Sequence, residues 1–181
     1  MHKLNYNDCI TLLHLIDRGT MTFNMCIEWA FKQYTDDGID PKIEAIALAY
    51  DLDDLVKIVR DFAMHRKGTD RHSISFEFLL GETYAFSINK DLDHHCVSLI
   101  QEIVEQYGED LPLPDSIRKL IFDSIDYHNI YGFHETPKYD HLNDAEYEHM
   151  NKQFQKVLVH CKNYHQTYLN TVKIFGIQKS V

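Results

Sequence analysis

The sequence predicts an all-α fold: a single globular domain over residues 1–181, with seven or eight helices and a long C-terminal helix. Apolar side chains recur at intervals of three and four residues along most of the chain, which is the spacing of one helix face. Hydrophobic residues make up 44% of the 181 positions, enough to build a core. Residues 73–78 alternate as in a strand, but an isolated strand would have no partner, so we expect a helix there as well.

The first two helices are indicated by their ends and their apolar stripes. The N-terminal helix is expected across about residues 5–17 and ends at Gly19, because glycine readily takes the left-handed conformation that follows a helix. The second helix is expected to bury one stripe, formed by Phe23, Ile27, Ala30, Phe31 and Tyr34.

The next two helices begin at aspartates. Asp40 precedes Pro41, and proline is favoured at the first helical position. Asp51 is expected to cap the following helix, with Asp54 at the second position of a capping box. The expected stripe of the first of these helices is Ile43, Ile46, Ala47 and Tyr50. That of the second is Leu55, Ile58, Val59 and Phe62.

The remaining helices follow the segment at 73–84. One is expected over residues 92–107, ending at Gly108, and another over residues 117–128. The last helix is the longest and is capped by Asn143. Its stripe is Tyr147, Met150, Phe154, Val157, Leu158, Cys161, Tyr168 and Val172.

Acidic residues dominate the chain except at its C-terminal end. The formal net charge is −10, while residues 151–181 carry five lysines and no acid, so residues 1–150 carry −15. Such a charge repels nucleic-acid phosphates and favours a basic protein partner, although acidity that serves only solubility has the same composition. No run approaches the roughly 20 apolar residues of a membrane span, and the start lacks a signal-peptide apolar block. We expect a cytoplasmic protein that binds neither nucleic acid nor membrane.

Motifs of catalysis are missing. There is no nucleophile elbow, no phosphate-binding glycine loop and no adjacent His-Asp pair among the 12 histidines. Asp91 with His94, and Glu146 with His149, have the spacing of helical di-metal ligands, but both pairs lie opposite the apolar stripes of their helices. The cysteines are expected to be buried small hydrophobes: Cys9, Cys26, Cys96 and Cys161. We therefore expect no enzyme, no metal and no cofactor; a helical metal-dependent hydrolase using its histidines stays the alternative.

Two segments are candidates for binding a protein. Helix capping explains Asp40, Asp51 and in part Asp54, and it leaves Asp36, Asp37 and Asp53 as surplus charge. In the loop at residues 130–142, aromatic and charged side chains alternate, which is typical either of an interface hot spot or of rings that fold back on the core. The candidate loop residues are Tyr131, Phe133, His134, Glu135, Tyr139 and Asp140.

One resemblance follows from the segments Asp17–Phe23 and Ile27–Ala30, which are similar to a group of bacterial proteins of this size. With its size, helical class and acidic charge, the chain resembles the all-helical immunity proteins of contact-dependent growth inhibition that neutralise EndoU-type ribonuclease toxin domains. The resemblance implies a protein that occludes the basic RNA-binding active site of a cognate toxin nuclease. Such families share no binding signature, so no site residue can be transferred.

For such a partner, we expect acids from residues 36–54 and 135–148 to face the basic cleft, with Asp36, Asp37, Asp53 and Asp54 as contact residues. Apolar anchors are then expected from the loop, at Tyr131, Phe133 or Tyr139. A protein-interaction module with an unrelated partner is the second non-enzymatic alternative.

Overall fold

A computed structural model of the chain describes residues 3–64, 74–88, 90, 94–108, 113–119 and 144–177. These residues are all-α, as predicted, and among them only an isolated bridge between Thr35 and Gly38 has β character. The helices whose bounds the structure describes are α1 (Tyr6–Asp17), α2 (Phe23–Phe31), α3 (Pro41–Ala47), α4 (Leu52–Met64), α5 (Phe76–Ser87), α6 (His94–Tyr107), α7 (Asp144–Cys161) and α8 (His165–Ile174). A 3-10 turn at Lys162–Tyr164 joins α7 to α8, which confirms the long C-terminal helical segment.

Two compact units divide the chain. The first consists of residues 1–74 and 172–181, and the second of residues 75–171. Within the first unit, α1 packs on α4, and α3 packs on both α2 and α4. Within the second, α5 packs on α6, on α7 and on the 3-10 turn. In the part of the chain described, no helix is long and apolar enough to cross a bilayer.

Local caps start the helices of the first unit. At α1, the Oδ1 atom of Asn5 accepts from the backbone amide of Asp8 at 3.0 Å, and the Asn5 amide donates to Asp8 Oδ2 at 2.9 Å. This helix ends before Gly19, whose φ of 68° is the predicted left-handed conformation. Asp40 caps α3 by accepting from the Lys42 amide at 2.9 Å, with proline at the first position. The sequence predictions for these three helix ends are confirmed.

The predicted stripe of α2 is wrong at its C-terminal end. Phe31 and Tyr34 are 54% and 44% exposed, while Trp29 is buried between Cys26 and Ala30 on the helix face. The indole Nε1 of Trp29 donates to the carbonyl oxygen of Ile174 at 2.7 Å. Because residues two apart on a helix point about 200° apart, burying Trp29 turns Phe31 outward. Tyr34 follows the end of the helix.

The predicted stripe of α3 is wrong at one position. Ile43, Ile46 and Ala47 are buried as expected, but Tyr50 is 88% exposed. Since α3 ends at Ala47, the helical spacing that placed Tyr50 on the buried face no longer applies.

The second unit is built around α5. Residues 78–83 are all buried, which is typical of a helix with neighbours on every side and confirms helix over strand in this segment. The ring of Phe78 packs on Tyr168 with centroids 5.2 Å apart. The stripe of α7 and α8 is confirmed at seven of its eight positions, while Tyr147 is only half-buried. The buried side chains are Met150, Phe154, Val157, Leu158, Cys161, Tyr168 and Val172.

Candidate protein-interaction site

The first predicted acidic pair lies in a tight turn before α3. Thr35 and Gly38 close it with reciprocal backbone bonds, N to O, of 3.2 and 2.9 Å, and Thr35 Oγ1 donates to the Gly38 carbonyl at 2.9 Å. Gly38 has a φ of 99°, which an L side chain rarely adopts. Asp36 and Asp37 occupy the middle of this turn and are exposed. The turn therefore holds two carboxylates in water at a fixed place.

The second acidic pair, Asp53 and Asp54, lies in the first turn of α4. Asp51 caps the helix as predicted, since its Oδ1 accepts from the Asp54 amide at 2.8 Å. In a capping box, the side chain of Asp54 would accept from the amide of the cap residue, Asp51. Here Asp54 Oδ2 accepts instead from the amide of Tyr50, one residue earlier, at 3.1 Å. Asp54 is therefore half-buried and used in the helix start, while Asp53 is exposed.

These two acidic pairs stand at opposite ends of α3. That helix has seven residues and is therefore about 10 Å long. A standard interface covers about 800 Å² on each partner, which is wide enough to include both ends. The predicted acids therefore form two groups along the chain, one just before α3 and one just after it.

Each acidic group has exposed apolar side chains next to it in the chain. The rings of Phe31 and Tyr34 stack with centroids 6.0 Å apart and an interplanar angle of 21°, just before the first group. Leu48 and Tyr50, 70% and 88% exposed, precede the second group. The acidic–aromatic surface is defined here as Phe31, Tyr34, Asp36, Asp37, Leu48, Tyr50, Asp51 and Asp53.

Sequence reasoning missed the apolar half of this surface. Helical spacing continues the stripes of α2 and α3 through Tyr34 and Tyr50, and it therefore predicts that both side chains are buried. The turn residues Asp36, Asp37 and Gly38, and the cap at Asp51, were signals that both helices stop earlier.

The charge around the surface is little neutralised. Residues 28–61 contain nine acids and four bases. Of those bases, Lys42 is engaged elsewhere: its Nζ donates to the carbonyl of Leu4, before α1, at 3.4 Å and lies 5.7 Å from the centre of the Phe62 ring of α4. In the described ranges, no cation forms an ion pair with Asp36, Asp37 or Asp53. The surface therefore presents a net negative charge to a partner.

No protein family, curated protein or solved structure matches this chain. The candidate site rests accordingly on the geometry of its own residues. The other predicted contact residues lie outside the residues that the structure describes: Tyr131, Phe133, His134, Glu135, Tyr139 and Asp140.

The metal hypothesis finds no ligand set in the described ranges, where no three His, Cys, Asp or Glu side chains are grouped to hold an ion. His149 is exposed, as the helical wheel predicts, and its Nε2 atom lies 3.4 Å from Nε2 of Gln153. Asp91 and the side chains of His94 and Glu146 lie outside the described part.

Three of the four cysteines are buried, as predicted. Burial raises the pKa of the Cys9 thiol to about 11 and those of Cys26 and Cys161 to about 12. A thiol acts as a nucleophile in its thiolate form, so these three are poor nucleophiles at neutral pH. Cys96 lies where no side chain is described.

A buried polar group in α5 was not predicted. Glu82, Thr83 and Ser87 are fully buried, and Thr83 Oγ1 donates to the Leu79 carbonyl at 2.8 Å. Burial, and then the nearby Glu82 carboxylate, raise the pKa of the Tyr168 hydroxyl. These residues belong to the core of the second unit.

Proposed function

We propose that this protein is a bacterial immunity protein, which binds a basic toxin nuclease domain in the cytoplasm and occludes its RNA-binding active site. The observation that supports this proposal is the acidic–aromatic surface, where exposed rings stand beside exposed carboxylates. Aromatic side chains supply the apolar contact area of interface hot spots, and charges of one sign select a partner of the opposite sign.

The physical basis of occlusion is competition with RNA for the same basic cleft. A nuclease must neutralise phosphates with lysine and arginine, so its cleft is positively charged. Carboxylates such as Asp36, Asp37 and Asp53 can pair with those cations in place of phosphate. Close charge pairs across an interface can couple by about 1.5–7 kcal/mol, so a few of them give tight binding. This mechanism needs no catalytic residue.

Calorimetric titration tests the proposal, with the C-terminal nuclease domain encoded immediately upstream as the partner. We expect nanomolar binding that weakens as salt is raised, together with loss of the domain's ribonuclease activity. Absence of binding would overturn the proposal, and metal analysis of the untagged protein would then test the hydrolase alternative.

Charge reversal locates the contact. The variant with Asp36→Lys, Asp37→Lys and Asp53→Lys is expected to lose binding. A matched control reverses three exposed acids outside both segments that are expected to face the partner: Asp17→Lys, Glu105→Lys and Asp115→Lys. Both variants change the net charge equally, so a specific contact is shown only if the first variant loses far more affinity than the second.

A further inference from the structure

Leu48 and Tyr50 are the most exposed large apolar side chains of the first unit in the described part of the chain. Both stand in the short connection between α3 and α4, at residues 48–51. A tyrosine ring can bury about 150–250 Å² in a contact, and here most of that area is in water. By comparison, Phe31 and Tyr34 already cover part of each other by stacking.

This connection is held by hydrogen bonds at consecutive residues. The amide of Leu48 donates to the Glu44 carbonyl at 3.1 Å, and that of Ala49 to the Ile46 carbonyl at 3.2 Å. The amide of Tyr50 donates to Asp54 Oδ2 at 3.1 Å. A segment that is already ordered loses little entropy on binding. The backbone that carries the exposed side chains of Leu48 and Tyr50 is therefore ordered before any partner binds.

Charge identifies the kind of partner. From residue 43 to residue 56 the chain contains Glu44, Asp51, Asp53 and Asp54 and no lysine or arginine. Such a segment repels phosphate groups of nucleic acid and anionic lipid, and it repels the same surface of a second copy. A basic protein is the partner that both the carboxylates and the apolar side chains fit.

We infer that the α3–α4 connection is the anchor of the interface: Leu48 and Tyr50 enter an apolar pocket of the basic partner, and Asp51 and Asp53 face cations at its rim. This inference rests on the proposed function, and it names the residues that set the lifetime of the complex. Central apolar anchors slow dissociation, whereas rim charges speed association.

Surface plasmon resonance with the upstream-encoded nuclease domain tests the inference. Tyr50→Ala and Leu48→Ala are each expected to speed dissociation about 30-fold, which is the effect of a hot-spot residue, with little change in association. Tyr50→Phe should dissociate like the wild type, since it keeps the ring. The control is Val159→Ala, another exposed apolar side chain, which lies on α7 of the second unit and should change dissociation less than about twofold.

The outcomes separate the inference from the function on which it rests. If the wild type does not bind, the proposed function fails and the inference fails with it. If the wild type binds and both alanine variants dissociate within about twofold of it, only the anchor is refuted. If light scattering shows a dimer of this protein that Tyr50→Ala abolishes, the pocket belongs to a second copy and the inference is wrong. Unfolding midpoints equal to that of the wild type verify that both variants are folded.

Discussion

At the scale of single residues, Gly81 marks the closest approach of α5 to its neighbours. A Cβ at this position would overlap the carbonyl oxygen of Tyr164 and stand 2.8 Å from the Cβ of Tyr168. At an ordinary helix position, Gly→Ala stabilises by about 1 kcal/mol. Here the obstacle is backbone, which cannot rotate aside, so Gly81→Ala should lower the free energy of unfolding by about 1–3 kcal/mol. Urea unfolding followed by circular dichroism measures the change, and a gain in stability would contradict the close packing.

The buried thiols predict how stability depends on alkaline pH. The pKa of Cys26 is raised by burial to about 12 in the folded protein, above that of an unfolded thiol. The Cys26 thiol therefore stays protonated to a higher pH in the folded protein than in the unfolded chain. The stability that this difference contributes is complete below about pH 8.5 and is lost as the pH rises towards 12.

The variant Cys26→Ala isolates this effect. Between about pH 9 and 11, the wild type should lose more stability than Cys26→Ala, by about 1 kcal/mol per pH unit. Urea unfolding of both proteins across this range gives the difference, from which the titration of other groups cancels. Parallel curves would show that the Cys26 thiol titrates in the folded protein as it does in the unfolded chain.

At the scale of elements, two aspartates at the start of α4 have different roles: Asp51 stabilises the helix, and Asp53 is proposed to contact the partner. Asp51 accepts the amide hydrogen of Asp54, whereas Asp53 is exposed and has no such cap bond. Asp51→Ala should therefore lower the free energy of unfolding by about 1 kcal/mol, and Asp53→Ala by less than about 0.5 kcal/mol. Thermal or urea unfolding measures both. Equal losses would mean that Asp51 does not cap the helix.

The starts of α1, α3 and α4 were predictable because a cap is a local interaction. Asn5 with Asp8, and Asp51 with Asp54, are partners three residues apart, so the sequence pattern contains the whole interaction. The rotation of α2 was not predictable in the same way. It is set by the bond from Trp29 to the carbonyl of Ile174, 145 residues further along the chain.

The candidate site shows the same contrast: the exposure of its acids was predictable from local sequence, and the exposure of Tyr50 was missed. Exposure of Asp36 and Asp37 follows from their charge and from the turn residue Gly38. Exposure of Tyr50 depends on where α3 ends, and helical spacing alone continues a stripe past that end. The cap at Asp51 marks the start of a new helix, and it is the local signal that places Tyr50 in the connection.

At the scale of the whole molecule, the charge is spread along the chain unevenly. Residues 1–150 carry −15 and residues 151–181 carry +5. Exposed lysines on α7 and in the turn after it include Lys152, Lys156 and Lys162, and the first of these pairs with Glu148 at 2.9 Å. The excess negative charge that attracts a basic partner therefore comes from the first 150 residues, which include the acidic–aromatic surface.

The 12 histidines make this attraction depend on pH. Imidazole ordinarily titrates near pH 6.5, while carboxylates stay ionised down to about pH 4. Each histidine that gains a proton adds one positive charge to the formal net charge of −10. Because the added charges are positive, acidification weakens the long-range attraction for a basic protein.

Association with the nuclease domain should therefore slow as the pH falls from about 7.5 to 5.5, with a smaller change in dissociation, because long-range charge governs encounter and short-range contacts govern release. Surface plasmon resonance at about 0.05 M and 0.5 M salt measures both rates. At the higher salt the Debye length is only a few ångströms, so the effect of pH on association should largely vanish. An effect of equal size at both salt concentrations would contradict the long-range origin and would place a titrating group within the contact itself.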